Sequence, residues 1–207
     1  MSGSTRSSAP RLRVAGLCTA IIGPLDLVLR EGECLGLTGA SGSGKSRLLR
    51  ALADLDPSQG RVRLDGQPRE ALSAPQWRRR VGYIPAYSEW WGVTVGEHIA
   101  VSRSGMPGPE ALLLDPDILT ARCEVLSSGE RQRLALLRQL QCQPDVLLLD
   151  EPTANLDARA TEAYEAVVAA ARARLGMAVI WVSHDRAQLA RVAAAVIVLE
   201  RGRPVTP

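Results

Sequence analysis

The first third of the chain is a series of short apolar runs separated by turn residues. Residues 12–14, 25–29 and 34–38 are such runs, and Gly23-Pro24 and Glu31-Gly32 stand between them. Runs this short, bounded by turn formers, predict strands. Helical spacing from Lys45 to about Ala53 predicts a helix. Residues 60–65 followed by Gly66 predict another strand and turn, 75–80 a short helical piece, and 81–84 a strand. The pattern then changes. Between Pro85 and Leu126 stand several prolines, the adjacent Trp90 and Trp91, and two or three short helical stretches with no convincing strand, which predicts a helical insertion. From Ser128 to Leu140 apolar residues recur at helical spacing, and 146–149 is a continuous apolar run, short enough for a strand buried on both faces. A helix at 158–174, a strand at 178–182, a helix at 185–192 and a strand at 195–199 complete the reading.

Strands alternating with helices imply an α/β fold: a mostly parallel sheet flanked by helices. Ligands of such sheets bind beyond the carboxyl ends of the strands. The expected organisation is a disordered tail at 1–10 and a single domain over 11–207, with a helical subdomain inserted at about 86–140.

Composition changes this picture in two places. With 46 % hydrophobic and 23 % charged residues, the chain falls in the ordinary globular range, which argues against a disordered or fibrous class. No run approaches the roughly 18 apolar residues of a membrane helix, and the Ser-rich start lacks the apolar stretch of a secretory signal, so a cytoplasmic location is expected. Net charge is +3 with the basic residues dispersed, so no nucleic-acid partner is expected. Cys18, Cys34, Cys123 and Cys142 show no metal-type spacing and read as buried free thiols. The second change concerns lysine. All but one of the 25 basic residues are arginine, and the exception is Lys45. A phosphate cradle needs a compact ammonium on a flexible stem, which a planar guanidinium replaces poorly.

Lys45 stands near the end of the octapeptide Gly39-Ala40-Ser41-Gly42-Ser43-Gly44-Lys45-Ser46, which fits G-x-x-x-x-G-K-[ST] between a predicted strand and a predicted helix. The glycines let backbone N–H groups converge on phosphate oxygens, and the helix N-terminus adds a favourable dipole. Lys45 would reach the β- and γ-phosphates of a nucleotide, and Ser46 would ligate Mg²⁺. Asp150 and Glu151 end the apolar strand at 146–149. Alone they read as a polar turn. Beside a phosphate loop they suit two roles, Asp150 for the metal, directly or through water, and Glu151 for polarising the attacking water. Ser127 and Glu130 match a capping box and can simply start a helix.

The octapeptide Leu126-Ser127-Ser128-Gly129-Glu130-Arg131-Gln132-Arg133 lies before the Asp150–Glu151 strand and resembles the signature of ATP-binding cassette (ABC) proteins, usually Leu-Ser-Gly-Gly-Gln. Asn155-Leu156-Asp157 resembles that family's D-loop, and Ser183-His184-Asp185 its switch histidine. The resemblance runs from about Leu12 to Leu199. It is most like the ATPase subunits of small bacterial systems with one permease, including those proposed to export iron. It implies the P-loop NTPase fold of the ABC type, with an antiparallel β part near the N-terminus and a helical subdomain, MgATP as ligand and ATP hydrolysis. It also implies a homodimer in the ATP state, in which Ser127, Ser128, Gly129 and Asp157 act on the partner's nucleotide, with Lys45, Glu151 and His184 catalytic. An integral membrane permease would be the partner, with the chain peripheral on the inner face of the cell membrane.

Three departures stand out. Ala86 occupies the place of a family glutamine that helps hold Mg²⁺ and relays closure. Turnover is therefore expected to be slow, with a water, Tyr87 or Glu89 as possible substitutes. Residues 11–38 contain no aromatic side chain to stack on adenine, which leaves Ile21 or Ile22 to offer an apolar face and predicts weak discrimination between ATP and GTP. Ser128 and Glu130 replace the signature's glycine and glutamine, a mild change. Trp90 and Trp91 either pack inside a small subdomain or, if exposed, anchor a partner. Soluble cassette ATPases acting on nucleic acid or ribosomes are the alternative, although they normally carry further modules. A degenerate subunit that binds ATP with little turnover is another. A phosphate-loop kinase would have no use for the signature or for His184.

Overall fold

A computed structural model describes residues 9–99 and 106–205. Two sheets organise these residues. The first is antiparallel, with order β2-β1-β4-β5, where β1 is Pro10–Cys18, β2 Leu25–Arg30, β4 Gln59–Leu64 and β5 Gln67–Pro68. The second has order β10-β9-β3-β8-β7-β6 and is parallel except at its β10 edge. Its strands are β3 Cys34–Thr38, β6 Val81–Ile84, β7 Val146–Asp150, β8 Ala178–Val182, β9 Ala195–Glu200 and β10 Arg203–Val205. The helices are α1 Lys45–Leu52, α2 Ala74–Arg80, α3 Ser128–Leu140, α4 Ala158–Leu175 and α5 Arg186–Val192.

The continuous apolar runs of β7 and β8 follow from burial on both faces. Val146 and Leu148 belong to one apolar cluster, with α1, α2 and the antiparallel sheet, while Leu147 and Leu149 belong to the other, with α3, α4 and the segment before α3. β8 divides the same way, Ala178, Ile180 and Val182 against Val179 and Trp181. Period-two alternation therefore places Asp150 on the α1 face of β7. Trp77 of α2 is fully buried and donates its Nε1–H to the Leu52 carbonyl at 2.9 Å, closing the end of α1. Arg80 joins the sheets, bonding Asp145 at 2.6 Å and Asp65 at 2.7 Å.

Three details differ from the sequence-based expectation. Of the expected tail, Pro10 already pairs with Arg30 at the start of β1, Ala9 is exposed and outside any strand, and 1–8 lie outside the described residues. Between β6 and α3 the described residues form 3-10 turns (Val95–Glu97, Pro109–Leu112, Pro116–Thr120, Cys123–Val125) and one antiparallel bridge, Thr94 to Arg122. Of the four free cysteines, Cys34 and Cys123 are buried but Cys142 is exposed. No helix among the described residues is long and apolar enough to cross a membrane.

Candidate nucleotide site

β3, β7 and β8 all end on one edge of the parallel sheet, and each delivers part of the site there. The loop from Gly39 to Gly44 turns the chain from β3 into α1, and its glycines are required by shape. Gly39 has φ 145° and lies so close to the Leu199 carbonyl that a Cβ would overlap it; Gly44 has φ 105° and faces Ile22 equally tightly. Leu48 N–H, bonded to the Gly44 carbonyl at 2.9 Å, starts the helical ladder. The preceding N–H groups of the first turn have no intrahelical acceptor, which is the general condition for anion binding at a helix start. The loop is also clamped from outside. Gly202 N–H donates to the Ser43 carbonyl at 3.0 Å, and the Gly202 carbonyl accepts from Gly23 N–H at 3.0 Å.

Lys45 is buried, with its ammonium on the loop's own carbonyls, 2.8 Å from Gly39 O and 3.1 Å from Ala40 O. Burial lowers its pKa, opposed by the negative charges of Glu151 and Asp150. The lone lysine therefore lies in the field of both strand-end carboxylates. Asp150 is itself only 4 % exposed. Its Oδ2 accepts a hydrogen bond from the Tyr83 hydroxyl at 3.1 Å, and burial, then the Asp150 charge, push that phenol's pKa well up.

Glu151 follows with φ 49°, a left-handed conformation that costs a non-glycine residue about 1–3 kcal/mol and is held only by its surroundings. Its N–H continues the ladder to the Val182 carbonyl at 3.2 Å. Its Oε1 is buried without a hydrogen-bond partner among the described residues, although His184 Nε2 stands 3.2 Å away. The contact is close but not aligned as a hydrogen bond. An orphaned carboxylate oxygen beside an imidazole is a place where a bound donor such as water would fit. His184 also lines, with residues 38–43, Arg186 and Arg201, a cavity of about 530 Å³ over the phosphate loop.

The oxygen set of Ser46 and Asp150 suits Mg²⁺, a hard cation that usually takes one or two protein oxygens and completes its shell with water and substrate phosphates. No group of three or more His, Cys, Asp or Glu among the described residues could hold a metal by itself, so a cation here would share its shell with the substrate.

Ser127, Ser128 and Gly129 do not line the phosphate-loop cavity. Ser127 caps α3, its hydroxyl accepting from Glu130 N–H at 3.2 Å while its own N–H donates to Glu130 Oε2 at 2.9 Å. The Ser127 hydroxyl also donates to Glu130 Oε2 at 2.8 Å, and this bond, then the one from Ser127 N–H, holds the Glu130 carboxyl below its usual range. Gly129 packs on the D-loop, where a Cβ would lie 3.1 Å from the Asn155 carbonyl. Asp157 caps α4, accepting from Ala160 N–H at 2.7 Å.

Two side chains matter that pattern reading passed over. Tyr83 is one. Gln132 is the other, buried in α3 with its amide donating to the Pro85 carbonyl at 3.2 Å, which ties the signature helix to the residue before Ala86. Tyr83 carries no motif, Gln132 stands in the signature octapeptide without a role of its own there, and only the fold places them. Of the proposed adenine contacts, Ile22 is 3 % exposed and belongs to the core, whereas Ile21 is 53 % exposed. Trp91 is 79 % exposed and Trp90 half-buried; both rings meet His98 edge-on and carry the Arg138 guanidinium at 4.5–5.0 Å.

The family model described as ABC transporter matches residues 22–154. The chain is 37 % identical over 207 residues to the aliphatic sulfonates import ATP-binding protein SsuB 2 of Paracoccus denitrificans, covering 97 % of this chain and 76 % of that one. It is 34 % identical over 222 residues to Protein STAR1 of Oryza sativa subsp. japonica, covering 98 % of this chain; it spans 64 % of the rice protein's length. Its fold superposes with a TM-score of 0.80, at 23 % identity, on a dimeric structure of an ATP-binding cassette in a post-hydrolysis state bound to ADP and Pi, covering 94 % and 97 % of the two chains. The chain belongs to the ABC transporter family, as an ATP-binding domain.

Proposed function

We propose that the chain is the MgATP-hydrolysing subunit of a transporter, acting in pairs on a separately encoded membrane permease. The observation that carries this is the convergence on one sheet edge of a glycine-built anion loop, a lysine held between that loop and two carboxylates, and an orphaned Glu151 oxygen beside His184. In this reading the N–H groups of residues 39–46 bind the triphosphate, Lys45 leaves its loop carbonyls for the β- and γ-oxygens, and Ser46 and Asp150 hold the cation. The cation supplies neutralisation of charge on the transferred phosphoryl group. Glu151 accepts a proton from the attacking water, and His184 steadies the terminal phosphate.

The resemblance assigns Ser127, Ser128, Gly129 and Asp157 to a second copy's nucleotide, and none of them lines the cavity over this chain's own phosphate loop. Head-to-tail pairing completes both sites, and loss of the γ-phosphate removes contacts made only in the closed pair. Residues 11–207 act as one domain, with 86–140 as the helical subdomain. Trp91 and Arg138 on that segment offer an apolar and cationic face to the permease, on the cytoplasmic side of the membrane. The resemblance to small systems proposed for iron export and the sulfonate-import name of the Paracoccus relative point in opposite directions for cargo. Both make this chain the ATPase half.

Calorimetric titration of the purified chain with ATP and magnesium tests the reading, with saturable heat at one site per chain expected; a flat titration removes it. Turnover is expected to be slow because Ala86 supplies no ligand or relay. Ala86→Gln should raise the ATPase rate and lower the magnesium needed for half-maximal rate, and no change in either would show that position 86 does not limit hydrolysis.

A further inference from the structure

Asp150, the carboxylate assigned to the metal, has one side-chain hydrogen-bond partner among the described residues, and it is neither a lysine nor an arginine. It is the Tyr83 hydroxyl, 3.1 Å from Oδ2. The nearby cations are engaged otherwise. Lys45 sits on the Gly39 and Ala40 carbonyls, and Arg50 is bidentate on Asp56 at 2.8–3.0 Å. Tyr83 belongs to β6, whose register sets it opposite Leu148 of β7, and its ring packs on the cluster below α1. The phenol thus rises along the α1 face of the sheet to the carboxylate at the strand end.

A half-buried phenol seeks some acceptor, so the bond could simply satisfy Tyr83. Tyr164 argues against that need in this chain. It is fully buried, and its hydroxyl has no hydrogen-bond partner among the described residues. A carboxylate at a strand end, by contrast, can rotate about χ2. Fixing one of its oxygens leaves the other directed for a cation or its water, which is how outer partners tune metal ligands.

We propose that Tyr83 is a positioning residue for the magnesium site: its hydroxyl holds Asp150 in the orientation that meets the cation. β6 thereby contributes to the metal site from position 83, although it offers nothing at Ala86. The inference rests on the reading of Asp150 as the metal carboxylate.

Tyr83→Phe keeps the ring and removes the hydroxyl. With the protein saturated in a non-hydrolysable ATP analogue, Mn²⁺ is titrated in and followed by its EPR signal. Mn²⁺ affinity is expected to fall roughly tenfold, the lower end for loss of an outer-shell partner, while analogue affinity in EDTA and the unfolding temperature stay near wild type. In an Asp150→Asn background the same substitution should add nothing. Unchanged Mn²⁺ affinity, an equal loss of metal-free analogue affinity, or a full effect in the Asp150→Asn background overturns the proposal. Failure of the wild type itself to take up Mn²⁺ with the analogue would overturn the ATPase reading as well, so the two failures are distinguishable.

Discussion

Glu151→Gln is expected to bind MgATP normally and to hydrolyse it roughly 10²–10⁴ times more slowly, the usual loss when a positioned general base is removed. The amide is isosteric with the carboxylate, so the left-handed turn at residue 151 and its N–H bond to Val182 should persist. What changes is the oxygen beside His184: an amide cannot take a proton from water. A chain that binds ATP but cannot clear it should accumulate in the ATP-bound pair. Size-exclusion chromatography with ATP and magnesium should then show a dimer for the variant at concentrations where wild type is monomeric. A variant that stays monomeric and turns over normally would move the base to another residue.

The second large effect is expected at Lys45. Its ammonium bridges loop carbonyls now and phosphate oxygens in the proposed complex, and it is the only lysine the chain has to set between the loop and both carboxylates. Lys45→Ala should weaken ATP binding by about 1.5–3 kcal/mol, the range for losing hydrogen bonds to a charged group, or roughly 10- to 150-fold by titration. Lys45→Arg discriminates the cause. If charge alone mattered, arginine would restore binding. The ammonium sits within 3.1 Å of two carbonyls inside a tight glycine turn, so the larger planar guanidinium should fit poorly and binding should stay weak. Full recovery with arginine would show that the cradle is looser than its geometry implies.

Much of this was legible in the sequence because each signal came from a local physical requirement. The apolar runs that became β7 and β8 had to be continuous, since both sheet faces are covered. Gly39 and Gly44 were legible as loop formers because only glycine meets their φ and close packing. The capping box at Ser127 and Glu130 was legible as a helix start, and the structure contains it. What escaped detection was decided by distant parts of the chain. β10 is three residues long, contains Pro204, and exists only as the antiparallel edge beside β9. Tyr83 and Gln132 look like ordinary strand and helix residues until the register of β6 on β7 and the docking of α3 bring them to Asp150 and Pro85. Ile22 is an apolar residue in a loop, and only the tight face of Gly44 explains why it is core.

The grip of Gly202 on the Ser43 carbonyl and on Gly23 has a consequence for biosynthesis. The loop that would hold the triphosphate is synthesised well before the turn that braces it from outside. While translation is still short of that turn, Ser43 lacks the amide that braces it, so the emerging polypeptide carries the motif without its finished rigidity. Bracing of the loop by Gly202 is thereby completed only when the β9–β10 turn has left the ribosome.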